Sequence, residues 1–323
     1  MPTSRPVVIA HRGASAYLPE HTLAAKALAF GHGADYLEQD LVASRDNALI
    51  VTHDIHLDRI SDVATRFPGR CRADGRYYVR DFDLAELRQL SVSERVDAAG
   101  KAVYPQRFPV ASGRFGLHTF DEELDLVEGL SRSSARRVGI YPEVKRPQWH
   151  HEEGVDLSRL LLNALGRRDL RRRTDPVFVQ CFDFGELSRW RHEFDSELPL
   201  VQLLGENDWN ESPTDFDWAR TEQGLADIAS VADALGPWIG QLVSGGGDSR
   251  TAQQWVMNAK ARGLALHPYT LRSDDIVDGF RDFADCLHWL IDIIGIDGVF
   301  TDFPDTAVEL LSYLPPNAGI SRG

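Results

Sequence analysis

Cysteine is scarce in this chain: Cys71, Cys181 and Cys286 are the only three among 323 residues, and no two form a Cys-x-x-Cys pair. A disulfide scaffold and a zinc–thiolate cluster are both excluded on that ground. Long apolar runs are missing as well: nowhere do about 18 uninterrupted apolar residues occur, so no stable membrane insertion is expected. Positive charge is in short supply. Lys and Arg number 35 against 49 Asp and Glu, a net charge of -14, and such a surface repels nucleic acid and anionic lipid at long range. No nucleic-acid partner is expected. A small phosphate ester stays within reach, because local cations can reverse a field that salt screens over about 10 Å. The chain opens without a basic stretch followed by an apolar segment. A cytoplasmic location is therefore expected for the sequence as written, and a periplasmic one if an export signal has been trimmed from it. No feature points to a particular oligomeric state.

What is present is alternation. Short apolar runs at 7–10, 36–41, 138–144, 177–182, 198–204, 239–243, 265–269 and 298–301 are separated by helical patterns. This predicts an α/β fold in which eight parallel strands close a (β/α)8 TIM barrel, read as a single domain over 1–323. One more run, 48–52, follows the second strand after a connection at Arg45, Asp46 and Asn47 that is too short for a crossover. It predicts a hairpin outside the barrel. The segment 55–117 is rich in Arg, Asp and Gly and has one helical pattern, at 84–90. It is expected to be a small capping insertion between the second and third barrel strands. Gly245 to Gly247 reads as a turn before a helix capped by Ser249.

Chemistry-bearing residues gather where strands end. Glu38 and Asp40 are alternate residues of one strand and so share a face. Two carboxylates facing a barrel interior need counter-charge, from a bound cation or from interior Arg and Lys. His11 and Arg12 follow the first strand, His53 and Asp54 follow the hairpin run, and Glu143 and Lys145 end the third barrel strand. Barrel enzymes build their sites at the C-terminal face, so His11, Arg12, Glu38, Asp40, His53, Glu143 and Lys145 are expected in one pocket. Phe182, Tyr269 and Phe303 lie near later strand ends. Each is a candidate either for the apolar wall of that pocket or for core packing.

The stretch from His11-Arg-Gly to Glu20-His-Thr22, with Glu38-Gln-Asp40, His53-Asp54, Glu143-Val-Lys145, Gln180-Cys-Phe182 and Thr301-Asp-Phe-Pro304, resembles the glycerophosphodiester phosphodiesterase family, most closely its bacterial periplasmic branch. The resemblance spans nearly the whole chain. It implies a barrel with a capping insertion, one divalent cation held by Glu38, Asp40 and Glu143, and His11 and His53 as the catalytic acid and base. It further implies that Arg12 and Lys145 neutralise phosphate charge and that Glu20 and Gln180 serve the substrate. The family's Glu-Asn-Thr signature has His21 at its centre here.

An all-oxygen ligand set suits a hard cation, Ca2+ or Mg2+. Two imidazoles titrating near neutrality suit the two proton transfers of diester hydrolysis. The expected partner is a small-molecule glycerophosphodiester, such as glycerophosphocholine or glycerophosphoethanolamine, cleaved to sn-glycerol 3-phosphate and an alcohol. Two alternatives stay open: phospholipase-D-like action on intact lipids, and a surface binding protein that keeps the barrel without turnover.

Overall fold

The computed structural model describes residues 5–313. Its strands are β1 (Val7–Ala10), β2 (Tyr36–Ala43), β3 (Leu49–Val51), β4 (Gly139–Val144), β5 (Val179–Cys181), β6 (Leu200–Leu204), β7 (Ala234–Pro237), β8 (Val243–Ser244), β9 (Thr251–Ala252), β10 (Ala265–Leu266) and β11 (Gly298–Thr301). Eight of them form a sheet in the order β10-β7-β6-β5-β4-β2-β1-β11. Every neighbouring pair along that path is parallel. Backbone bonds join the two ends: Asp297 N–H donates to the Leu266 carbonyl, Phe300 N–H to that of Pro268 and Leu271 N–H to that of Phe300, each at 2.9 Å. The sheet closes into a (β/α)8 barrel.

Crossover helices start where the sequence supplies a side-chain acceptor. Thr22 accepts from Ala25 N–H at 3.1 Å, and Thr119 forms a reciprocal capping box with Glu122. Asp156, Asp183, Thr221 and Asp282 cap four later helices. Each cap stabilises its helix by about 1 kcal/mol. Inside the barrel, Ile9, Tyr141, Val201, Ala234 and Phe300 pack together, with the Tyr141 and Phe300 rings edge-on at 5.0 Å. This apolar plug forms the floor of the site, and a larger cluster fills the space between strands and helices.

β3 pairs antiparallel with β2, as the short polar connection predicts. The segment after β3 holds its own cluster, in which Ile55, Leu57, Val63, Phe82, Leu87 and Leu90 pack on Val42 and Ile50 of the hairpin. Within that segment the helix reading at 84–90 shortens to Leu84–Leu87.

Two readings of the later chain need correction. No barrel strand covers 239–243: the barrel strand is β7, Ile239–Gln241 is a 3-10 turn, and Val243 belongs to the separate β8–β9 hairpin. Gly236 and Pro237 look like turn residues in sequence, yet here they sit in a barrel strand, with Gly236 packed closely on Leu203. A Cβ at position 236 would lie 2.5 Å from Leu203 Cδ2. Ile239 and Leu242 are buried three residues apart, which fits a 3-10 turn rather than a strand. Nor does Ser249 cap a helix. It sits in the β8–β9 hairpin, its hydroxyl donating to Gly246 O at 2.8 Å, and the next helix starts at Gln254.

Candidate active site

Register lines up the polar residues. Asp40 of β2 stands opposite Glu143 of β4, and Glu143 stands opposite Gln180 of β5. Glu38 lies one pleat below Asp40, opposite Tyr141 of the plug. β1 ends in a turn where Arg12 (φ 60°) and Gly13 (φ 89°) are left-handed. A side chain at Gly13 would put Cβ 2.8 Å from the Ala25 carbonyl carbon, so only glycine fits. The turn brings Arg12 N–H within 2.6 Å of Glu38 Oε2. A cavity of about 220 Å³ results, lined by all seven residues expected there: His11, Arg12, Glu38, Asp40, His53, Glu143 and Lys145.

The carboxylates are buried, Glu38 at 2%, Asp40 at 0% and Glu143 at 5% exposure. Burial, then the neighbouring Asp40, pushes Glu38 up to about 8. Burial also drives Glu143 well above the carboxylate range, although Lys145 Nζ lies 2.9 Å from its Oε1. Burial acts on Asp40 as well, but Lys145, His53 and His21 outweigh it and hold Asp40 ionised. Lys145 pairs with Asp40 and Glu143, and Arg12 Nε lies 3.7 Å from Asp40 Oδ2 while also pairing with Glu20, so these two cations do not match three acids and salt bridges account for only part of the cluster.

Asp40 Oδ1 and Gln180 Oε1 are buried without hydrogen-bond partners among the described residues. Orphaned oxygens facing a cavity beside raised carboxyl groups fit a hard cation. His21 Nε2 also belongs to a compact donor group with Glu38 and Asp40. It is already engaged 2.7 Å from Asp40 Oδ2, so His21 orients Asp40. The unusual residue at the centre of the Glu-His-Thr stretch thus has a geometric role.

Each histidine has a carboxylate behind it. His11 Nδ1 lies 2.6 Å from Asp302 Oδ1, and His53 Nδ1 lies 2.6 Å from Asp54 Oδ1. An Nδ1–H held by a carboxylate turns Nε2 of each ring toward the cavity, where His53 Nε2 meets Lys145 Nζ at 3.4 Å. Burial, then Arg12, lowers His11 to about 4. The same two causes, in the same order, lower His53.

A model of the glycerophosphoryl diester phosphodiesterase family matches residues 11–306. The chain belongs to that family. The "Glycerophosphodiester phosphodiesterase" of Haemophilus influenzae is 41% identical over 325 residues, covering 94% of this chain and 89% of the relative. A protein of the same name from Treponema pallidum is 37% identical over 328 residues, covering 95% and 92%. This phosphodiesterase is accordingly an enzyme. Solved structures share its fold. A putative glycerophosphoryl diester phosphodiesterase of Silicibacter pomeroyi superposes with a TM-score of 0.70 at 21% identity, covering 96% of this chain and 94% of its own. An Oleispira antarctica phosphodiesterase, solved in complex with the product sn-glycerol-3-phosphate, gives 0.64 at 20% identity, covering 95% and 97%.

The remaining residues singled out in this phosphodiesterase divide. Gln180, Phe182 and Tyr269 line the cavity. Gln180 Nε2 reaches Glu38 Oε1 at 3.3 Å, and the Tyr269 hydroxyl donates to Leu204 O at 2.7 Å. Glu20 lies to one side, taking a 3.0 Å bond from Arg12 Nη1 and a 2.6 Å bond from Arg95 Nη2. Phe303 is placed elsewhere. It packs against Tyr17 and Phe283 at 5.8 and 6.3 Å and lines neither this cavity nor its neighbour.

Sequence reasoning missed Asp302, Arg95, Arg107 and Arg272. Asp302 accepts from Arg107 Nη2 at 2.8 Å and from Arg272 Nε at 2.6 Å. The usable signal was chemical, since a catalytic imidazole needs an orienting acid and Asp302 ends a barrel strand. Among the described residues, no helix is long and apolar enough to cross a membrane.

Proposed function

We propose that this phosphodiesterase cleaves glycerophosphodiesters to sn-glycerol 3-phosphate and a free alcohol, using one divalent cation held by Glu38, Asp40 and Glu143 and proton transfer by His11 and His53. The observation that carries the reading is a surplus of buried carboxylate sharing one cavity with two histidines, each backed by its own acid. The Oleispira antarctica complex with sn-glycerol-3-phosphate supports the choice of product. Ca2+ and Mg2+ both suit the oxygen donors, and either would polarise the phosphoryl group.

The chain's own residues supply the rest. Arg12 and Lys145 flank the carboxylates, where a guanidinium fork and an ammonium stabilise charge building on phosphoryl oxygens. Asp302 and Asp54 fix the imidazoles, so each Nε2 can exchange a proton with the substrate. One ring takes the proton of the attacking oxygen as the new P–O bond forms. The other gives a proton to the alcohol oxygen as the old P–O bond breaks. Phe182 and Tyr269 form an apolar wall for the glycerol carbons.

The test is a coupled assay for sn-glycerol 3-phosphate with glycerophosphocholine and glycerophosphoethanolamine. Product should appear one-for-one with alcohol, stop on chelation, and return with Ca2+ or Mg2+. Turnover that survives complete chelation contradicts the metal assignment. Absence of turnover on every diester contradicts the substrate assignment.

A further inference from the structure

A second cavity of about 210 Å³ lies behind the catalytic histidines. It shares His11, Arg12, His53 and Arg272 with the first, and its far wall comes from the insertion: Glu94, Arg95, Val103, Tyr104 and Arg107. A diester has two arms. If phosphate sits between Arg12 and the histidines with its glycerol arm against Phe182 and Tyr269, the other arm points into this second space.

Nearly every charge around this cavity is matched. Arg95 pairs with Glu20 and Asp54, each at 2.6 Å. Arg107 pairs with Asp274 and Asp302, each at 2.8 Å. Arg272 is also held by Asp302, at 2.6 Å. Glu94 is the exception. It is 4% exposed, and its Oε2 is buried with no hydrogen-bond partner among the described residues. Glu94 lines this cavity, and burial, then the neighbouring Glu20, raises it to about 7, so a cation placed beside it would return it to the carboxylate form. A buried acceptor left open costs about 1–3 kcal/mol, so it is expected to meet a donor when the cavity is filled.

We propose that this cavity receives the leaving alcohol and that Glu94 selects an alcohol carrying a primary ammonium group; the inference rests on the diesterase reading above. An ammonium offers three N–H donors and a positive charge to the open carboxylate oxygen. A trimethylammonium group offers no N–H and is bound instead by open aromatic faces. Tyr104 is the one Phe, Tyr or Trp on this wall, and Arg107 already covers its ring, 3.7 Å from the centroid. The chemistry therefore favours an amino alcohol over choline.

The experiment compares kcat/KM of the metal-loaded full chain for sn-glycero-3-phosphoethanolamine and sn-glycero-3-phosphocholine, in wild type and Glu94→Gln. A charge-assisted hydrogen bond predicts a preference of roughly tenfold or more for the ethanolamine diester, shrinking to about twofold or less in Glu94→Gln. Circular dichroism checks the variant's fold. If the variant is misfolded, product inhibition of the wild type decides instead, with free ethanolamine expected to inhibit more strongly than choline. Equal wild-type rates, a ratio unmoved by Glu94→Gln, or equal inhibition by the two alcohols overturns the subsite while leaving the diesterase reading intact. Failure to turn over either diester removes that reading, and this one with it.

Discussion

The two sides of the active site balance charge in opposite ways. On the barrel side, Lys145 and Arg12 are the cations beside the three acids Glu38, Asp40 and Glu143, and Asp40 Oδ1 has no hydrogen-bond partner among the described residues. On the insertion side, Arg95, Arg107 and Arg272 tie up Glu20, Asp54, Asp274 and Asp302 in close pairs. The first arrangement leaves acid in excess, as the proposed cation site requires, whereas the second pairs each of these four acids and leaves only Glu94 open. Rigid strands hold the acids to a fixed register, which suits a metal with strict oxygen geometry. The loop-borne arginines contact the carboxylates that hold His11 and His53, and in the proposed reaction they would steer proton transfer from a distance.

Removing a histidine strikes where the two sides meet, and should have the largest effect. His11→Ala and His53→Ala are each expected to lower kcat by about 10²–10⁴-fold, with little change in cation affinity or melting temperature. Release of sn-glycerol 3-phosphate under saturating metal measures it; near-normal turnover contradicts the assigned roles.

Arg95→Met breaks the matched side. It leaves the part-buried Asp54 and Glu20 without this cation, for an expected loss of about 1–3 kcal/mol in stability, between the buried and exposed limits, read from urea unfolding. A loss below about 1 kcal/mol would mean that the pairing contributes no more than an exposed one.

The unmatched side should answer to pH. Glu38 is raised from 4.5 to about 8, so between those values the metal-free folded protein holds a proton that the unfolded chain has released. Its stability therefore falls as pH rises through that window. Cation affinity moves the other way, tightening by up to about tenfold per pH unit and levelling off near the folded pKa. Chelated and metal-loaded melting curves from pH 5 to 9 should separate progressively; a constant gap contradicts the account.

Much of this was legible in sequence because strand periodicity is local. Glu38 and Asp40 two residues apart, and Glu143 and Lys145 likewise, fix a shared face without knowledge of the fold, and barrel topology then gathers the strand ends. The expectations for β1 and β11 match the observed bounds, since Val7–Ala10 and Gly298–Thr301 are short apolar runs with clear limits. β7 was hidden because Gly236, packed closely on Leu203, and Pro237, opposite Leu204, look like a turn in sequence.

The orienting network was harder to read. Asp302 lies 291 residues from His11, and Arg95 lies 75 from Glu20 and 41 from Asp54. Arg95 and Arg107 stand in a segment without periodicity, where sequence spacing says nothing about direction. Phe303 shows the limit of strand-end reasoning: position near a strand's end places a residue at the right face of the barrel, but the neighbouring Asp302 takes the inward direction.

Calorimetric titration of chelated protein with Ca2+ and Mg2+, in wild type and Asp40→Asn, tests the central claim most directly. The account predicts one ion per wild-type chain for at least one of the two metals, and loss of that binding in Asp40→Asn while the variant stays folded. No binding to the wild type, or undiminished binding to Asp40→Asn, would contradict it.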